Sequence, residues 1–134
     1  MVIWLELKTT EPPDNTMITP TAILIHVNDI EAGLSWYKKA FPAAQERCVD
    51  GFRYLDVEGF HIEIVWADAK VPAGKAGAVL YWSVANLADE VERFLVLGST
   101  VYRGPMQIEN GLGMCQVTDP FGNLIGLRGP YSTA

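Results

Sequence analysis

Six side chains on predicted strands are candidates for lining a ligand cleft: His26, His61, Glu63, Tyr81, Ser83 and Arg128. Glu63 is the foremost, because a carboxylate in a mainly apolar cleft can attract a cationic ligand group or act as a base with a raised pKa. The histidines can carry protons, and the hydroxyl groups of Tyr81 and Ser83 can orient a ligand. Arg128 can pair with Glu63 or bind an anionic ligand. The alternatives are a solvated Glu63 without function, structurally satisfied histidines and a rim salt bridge at Arg128.

Motifs for nucleophilic or nucleotide chemistry are absent. The chain contains no GxSxG, P-loop, GxGxxG or HExxH sequence. Its two cysteines, Cys48 and Cys115, lack CxxC spacing, and Cys115 has no evident base partner. We therefore expect two reduced thiols rather than a disulfide or a catalytic cysteine.

Predicted strands and helices alternate along the chain, and these elements would position the candidate side chains. Asn28-Asp29 and Asn86 are predicted helix caps, and Pro42 and Gly98 end the helices that follow. Asp50-Gly51 and Glu58-Gly59 are predicted turns between short strands. The predicted strands cover 21–27, 45–49, 53–57, 61–66, 78–84, 100–103, 113–118 and 124–128, and the predicted helices cover 30–40 and 87–97.

Strand alternation separates two rows of side chains on each strand. The candidates share rows with Ala22, Leu24, Val65, Val79, Leu124 and Gly126. The opposite rows are uniformly apolar and should pack under the helices. They comprise Ile23, Ile25 and Val27, then Ile62, Ile64 and Trp66, then Leu80, Trp82 and Val84, and finally Ile125 and Leu127.

An internal repeat organises this pattern. An offset of 57 residues aligns Val27 with Val84, and Asp29 with Asn86. The sequence therefore predicts an α+β fold with two tandem βαβββ modules, at about residues 18–70 and 76–129. Each module alone leaves one sheet face uncovered, so we expect a curved, partly closed mixed sheet around a cleft, with the helices outside.

Length, composition and charge restrict the class of protein. The 134 residues suit one domain at 17–134, after an N-terminal extension at 1–16 that ends in a Pro-Pro linker. A net charge of −6 disfavours nucleic acids and anionic membrane surfaces as partners. The start of the chain lacks a basic leader, and no apolar run is long enough to span a bilayer. These features predict a soluble, cytoplasmic protein.

Two segments resemble the vicinal oxygen chelate superfamily, which includes glyoxalase I, bleomycin resistance proteins and extradiol dioxygenases. They are the strand-to-helix entry His26–Ile30 with Trp36-Tyr37, and the turn Asp119-Pro120-Phe121-Gly122-Asn123, which is similar to a DPxGN turn. Gly104-Pro105 adds loop similarity. The likeness covers about residues 18–129, and it implies a fold rather than a particular reaction.

The resemblance also implies where a metal would bind. Metal-dependent members supply one ligand from the first and the last strand of each module, and these positions fall on Ala22, Glu63, Val79 and Gly126. Only Glu63 carries a donor side chain. One carboxylate cannot hold a catalytic divalent ion, so we expect no metal cofactor.

These observations predict a metal-independent small-molecule-binding protein, similar to the bleomycin resistance proteins. Its cleft would sequester a small cationic or aromatic compound. The alternative is a glyoxalase-, lyase- or dioxygenase-type enzyme that uses a divalent metal ion or Glu63 as general base. A partner-binding or structural role without a cleft ligand is a third possibility. The superfamily resemblance and the apolar strands favour a homodimer.

Overall fold

A computed structural model describes residues 20–69, 72–75 and 77–132 of the chain. The predicted extension at 1–16 lies outside this range. The first module contains β1 (Ala22–Val27), α1 (Ile30–Ala40), β2 (Gln45–Val49), β3 (Phe52–Val57) and β4 (Phe60–Trp66). The second contains β5 (Tyr81–Ser83), α2 (Leu87–Val96), β6 (Val101–Gln107), a short 3₁₀ turn (Glu109–Gly111), β7 (Leu112–Thr118) and β8 (Leu124–Pro130). The predicted α+β fold with two tandem βαβββ modules is confirmed.

Both helices begin where the sequence predicts. The Asp29 carboxylate accepts a hydrogen bond from the backbone N–H of Ala32 at 3.1 Å. The Asn86 side chain accepts one from Asp89 at 3.0 Å in the second module. Each cap satisfies a backbone donor that has no partner within its helix. No helix in the described ranges is long and apolar enough to cross a membrane.

Each module forms a four-stranded mixed sheet. The strand orders are β1-β4-β3-β2 and β5-β8-β7-β6, so the same topology occurs twice. The parallel pair β1/β4 sets Leu24 opposite Glu63. The equivalent pair β5/β8 sets Tyr81 opposite Gly126. Parallel neighbours require a crossover, and α1 or α2 lies within the long connection between the paired strands.

The helix-facing rows form the core, largely as predicted. Ile25, Val27, Ile62, Ile64, Ile125 and Leu127 are buried. The prediction was wrong for Trp66, which is 62% exposed, and for Leu80, which is 36% exposed. Trp66 is the last residue of β4 and Leu80 precedes β5. At these strand ends, alternation no longer directs the side chain under a helix.

The two modules contact each other through the helices. The Trp36 indole donates to the carbonyl oxygen of Leu97 at 3.0 Å, and the Phe41 ring lies 4.4 Å from the Trp82 ring. Arg93 of α2 donates to the carbonyl oxygen of Ala40 at 2.7 Å, at the end of α1. The second module thereby satisfies a carbonyl that α1 leaves without a helical partner.

The turn before β8 connects the modules through one buried carboxylate. Asp119 is 3% exposed and accepts hydrogen bonds from the backbone N–H groups of Phe121 and Asn123, both at 2.8 Å. Its other oxygen accepts from the Tyr37 hydroxyl at 2.7 Å and from the Asn123 amide at 2.9 Å. That amide also donates to the carbonyl oxygen of His26 at 3.0 Å. Burial and the neighbouring Asp119 hold the pKa of Tyr37 well above its ordinary value, so the hydroxyl remains a donor.

The Tyr37→Phe variant tests this connection. Losing a hydrogen bond to a buried carboxylate should lower the free energy of unfolding by about 2 kcal/mol. The matched control is Tyr102→Phe, because Tyr102 is 55% exposed and its change should stay within about 0.5 kcal/mol. Urea denaturation of both variants measures the difference. Equal stability of the two variants would show that the Tyr37 hydroxyl does not hold the modules together.

Candidate functional site

The six predicted site residues divide equally between the two sheets. His26, His61 and Glu63 belong to the first sheet, and Tyr81, Ser83 and Arg128 to the second. Within each sheet they share the face opposite the helix-packed row, since residues paired across strands point the same way. The two sheets share no hydrogen-bonded strand pair within the described ranges. The six residues therefore form two groups, one on each sheet.

The first group centres on His61 and Glu63. The imidazole Nδ1 lies 3.9 Å from a carboxylate oxygen of Glu63, which is beyond hydrogen-bond distance. The two side chains are partly buried, with exposures of 33% and 24%. The Tyr54 ring lies 4.3 Å from the His61 ring. Sequence reasoning missed Tyr54, although the alternation around Leu55 in β3 indicates this face.

Most other carboxylates on or beside the first sheet are ion-paired. Asp56 accepts from Arg47 at 2.8 Å, and Glu46 accepts from Arg53 at 2.6 Å and from Lys38 at 2.8 Å. The hydrogen bonds from Arg53 and Lys38 lower the pKa of Glu46 to about 2. Among the described residues, Glu63 has no Lys or Arg partner, and the nearest basic side chain is that of His61.

The other first-sheet candidate, His26, pairs in register with Val65. Its backbone carbonyl accepts the Asn123 amide in the network around Asp119. His26 therefore contributes its backbone to the joint between the modules. A ligand contact by its imidazole stays a prediction.

The second group centres on Tyr81. Its hydroxyl accepts a hydrogen bond from the Gln116 amide at 2.7 Å, and the Arg128 guanidinium carbon lies 4.9 Å from the ring centroid. That distance is within the range of a cation–π contact. Ser83 is exposed and lies opposite Arg128 in the parallel register. Sequence reasoning missed Gln116, which alternation on β7 would have assigned to the same face as Gly126.

The structure allows a direct test of the metal positions. A Cβ atom at Gly126 would lie 2.6 Å from Cδ1 of the Tyr81 ring, so the ring occupies the space that a ligand side chain would need. Ala22 and Val79 carry no donor atoms. No group of three His, Cys, Asp or Glu side chains in the described part of the chain could hold a metal ion. These residues do not fit the four-ligand metal centre of the superfamily.

A cavity of about 290 Å³ lies at the junction of the modules. Its aromatic walls are Phe41, Trp82 and Phe94, and the ion pair between Glu90 and Arg93 adds polar groups. Of the six predicted site residues, Ser83 lines this cavity. Trp82 pairs with the buried Leu127, so the cavity opens beside the helix-packed layer rather than on the polar faces.

Neither cysteine belongs to these groups. Cys48 is exposed on β2, whereas Cys115 lies in the core, and both are free thiols. Burial raises the pKa of the Cys115 thiol, which lowers its thiolate fraction at neutral pH. The surroundings of Cys115 agree with a structural role.

Comparison with solved structures places the fold among known ones. A glyoxalase/bleomycin resistance protein/dioxygenase family enzyme from Burkholderia phytofirmans PsJN is 18% identical, with a TM-score of 0.68 over 83% of this chain and 98% of that one. The fosfomycin resistance protein FosX from Listeria monocytogenes is 17% identical, with a TM-score of 0.69 over 86% and 94%. TnmS3, an antibiotic-binding protein from Streptomyces sp. CB03234, is 20% identical, with a TM-score of 0.65 over 88% and 100%. No functionally curated protein is significantly similar in sequence.

The family assignment rests on sequence as well as on shape. The family model for the glyoxalase/bleomycin resistance protein/dioxygenase superfamily matches residues 19–127, which include both modules and the Asp119 turn. The structural neighbours have the same fold at identities that show the fold alone. The chain belongs to the glyoxalase/bleomycin resistance protein/dioxygenase superfamily.

Proposed function

We propose that this protein binds a small cationic or aromatic compound without a metal ion, on the polar face of the first sheet around Glu63. The observation that carries the proposal is a partly buried carboxylate that no described Lys or Arg side chain neutralises. Two neighbours in fold support small-molecule binding as a class of function, since one is named a fosfomycin resistance protein and another an antibiotic-binding protein.

The surroundings of Glu63 suit a cation attached to a flat or apolar body. An ammonium or amidinium group would form a charge-assisted hydrogen bond with the carboxylate. The His61 ring lies beside the carboxylate and the Tyr54 ring lies 4.3 Å from the His61 ring, and the face of a tyrosine ring attracts a cation. Leu24, opposite Glu63 and 51% exposed, offers apolar surface to the rest of the ligand. The ligand would therefore gain both electrostatic and hydrophobic contacts.

Metal independence is part of the same proposal. Its support is chemical, because Glu63 is the one donor at the four superfamily positions and the Tyr81 ring covers Gly126. A single carboxylate leaves most of the coordination shell of a divalent ion to water, so binding would be weak.

We further propose that two chains form a homodimer. Large apolar side chains remain exposed on both sheets, and a second copy would remove them from water. They include Trp66 at 62% and Val49 at 55% exposure on the first sheet, and Val101 at 39% and Met106 at 37% on the second. Removing apolar side chains from water favours association of two chains.

Calorimetric titration with a panel of cationic aromatic compounds tests the ligand proposal. At least one should bind, and Glu63→Gln should weaken it about tenfold, since a hydrogen bond between charged groups is lost while the shape is kept. Glu58→Gln is the control, because Glu58 is exposed in the β3–β4 turn. If no compound binds to folded protein, or if both variants weaken binding equally, the Glu63 site is wrong. Product formation during the titration would favour the alternative enzyme with Glu63 as general base.

Thermal unfolding with divalent ions tests metal independence. Saturating Mg²⁺, Mn²⁺, Zn²⁺ or Ni²⁺ should leave the melting temperatures of the native chain and of Glu63→Gln equally unchanged, because an ion that does not bind the folded state cannot stabilise it. If a divalent ion raises the melting temperature of the native chain and Glu63→Gln abolishes that rise, the proposal is contradicted.

Sedimentation equilibrium tests the homodimer. We expect twice the chain mass of 14.8 kDa at micromolar concentration. The Trp66→Ser variant should shift the equilibrium towards monomer, since it removes the most exposed aromatic side chain from the interface. A single monomeric species for the native chain would refute the dimer.

A further inference from the structure

The arginines of this acidic protein fall into two groups. Arg47, Arg53 and Arg93 are ion-paired with carboxylates. The remaining two, Arg103 and Arg128, have no carboxylate partner within residues 20–69, 72–75 and 77–132. Both side chains are exposed, and their strand partners, Gln116 for Arg103 and Ser83 for Arg128, belong to the polar face of the second sheet. This face therefore carries positive charge in a protein whose net charge is −6.

The strand register brings the two arginines to one face. Arg103 pairs with Gln116 across β6 and β7, with a register shift on each side of it, and Gln116 pairs with Gly126 across β7 and β8. Arg128 follows Gly126 by two residues, so its side chain points the same way. With neighbouring strands about 4.8 Å apart, the backbones of β6 and β8 are separated by about 10 Å. Two long side chains can converge on one anionic group across that span.

We propose that this face is an oxyanion-binding site, formed by Arg128 and Arg103 on a base of Tyr81. Its ligand is a small compound with a carboxylate or a phosphate group, which a guanidinium can bind through two parallel hydrogen bonds. The site shares no residue with the Glu63 cluster and does not depend on the cationic-ligand proposal.

Tyr81 gives Arg128 a defined position. One side of the ring covers Gly126, where even a Cβ atom would come within 2.8 Å of three ring carbons. The hydroxyl is held by Gln116 at 2.7 Å, and the guanidinium lies over the ring at 4.9 Å. A guanidinium that is already oriented loses less conformational freedom when it binds an anion. Glycine at position 126 thus leaves the space that the Tyr81 ring occupies in this arrangement.

Calorimetric titration of the full chain at low ionic strength tests the site, with benzoate and inorganic phosphate as probes and benzamide as the neutral control. At least one anion should bind and benzamide should not. Arg128→Gln and Arg103→Gln should each raise the Kd about tenfold, because each removes charge-assisted hydrogen bonds. Lys39→Gln is the charge-matched control, since Lys39 is exposed on α1; it should leave the Kd within about twofold. The two probes distinguish a carboxylate from a phosphate ligand.

A second pair of variants separates a formed site from general attraction. Tyr81→Leu keeps every charge but removes the ring under Arg128, and it should weaken anion binding about fivefold. Tyr81→Phe keeps the ring and should bind nearly as the native chain does. Absence of binding by either anion to folded protein would overturn the proposal. Equal weakening by Lys39→Gln and Arg128→Gln, or no effect of Tyr81→Leu, would overturn it as well, and Glu63→Gln should not alter the anion Kd.

Discussion

The hydrogen bonds of the buried Asp119 carboxylate are the interaction on which the rest of the structure depends. A carboxylate almost fully removed from water needs several hydrogen bonds, and Asp119 accepts four. Two come from the backbone of its own turn and shape the entry to β8. The bond from Tyr37 reaches α1 of the first module, and Asn123 extends the network to the end of β1. The same carboxylate thus forms a local turn and joins the two halves of the chain.

Because β8 begins directly after this turn, the turn fixes the position of the polar face of the second sheet. Gly126 and Arg128 are fixed relative to Tyr81 by the β5/β8 register. In the first module the corresponding face carries Glu63 and His61 instead. The repeat therefore keeps the helix-facing apolar rows similar, because both must pack, while solvent-facing positions differ in charge. Within the described residues, one polar face presents an acid without a Lys or Arg partner, and the other presents two arginines without a carboxylate partner.

This division explains how a superfamily fold can lack the superfamily metal ligands and still present groups for recognition. At Gly126 the side chain that would bind a metal is replaced by the ring of a neighbouring strand. The ring in turn supports Arg128. The face at Gly126 therefore carries an aromatic ring and a guanidinium. These groups lie on the face that does not pack against a helix, so the helix-packed core does not depend on them.

Local rules in the sequence determined the elements, because caps, turns and alternation act within a few residues. Asp29 and Asn86 were identifiable as caps, and the offset between Val27 and Val84 as a repeat, from residue types alone. Trp66 was wrongly predicted to be buried, and Tyr54 and Gln116 were missed as site residues. The reason is that the surroundings of a side chain depend on strands distant in the chain. Only the tertiary structure decided three further features. The candidate residues fall into two clusters, the Tyr81 ring covers Gly126, and the Asp119 carboxylate accepts a hydrogen bond from Tyr37. Each depends on a contact across dozens of residues, whose geometry is set by strand register and packing rather than by local sequence.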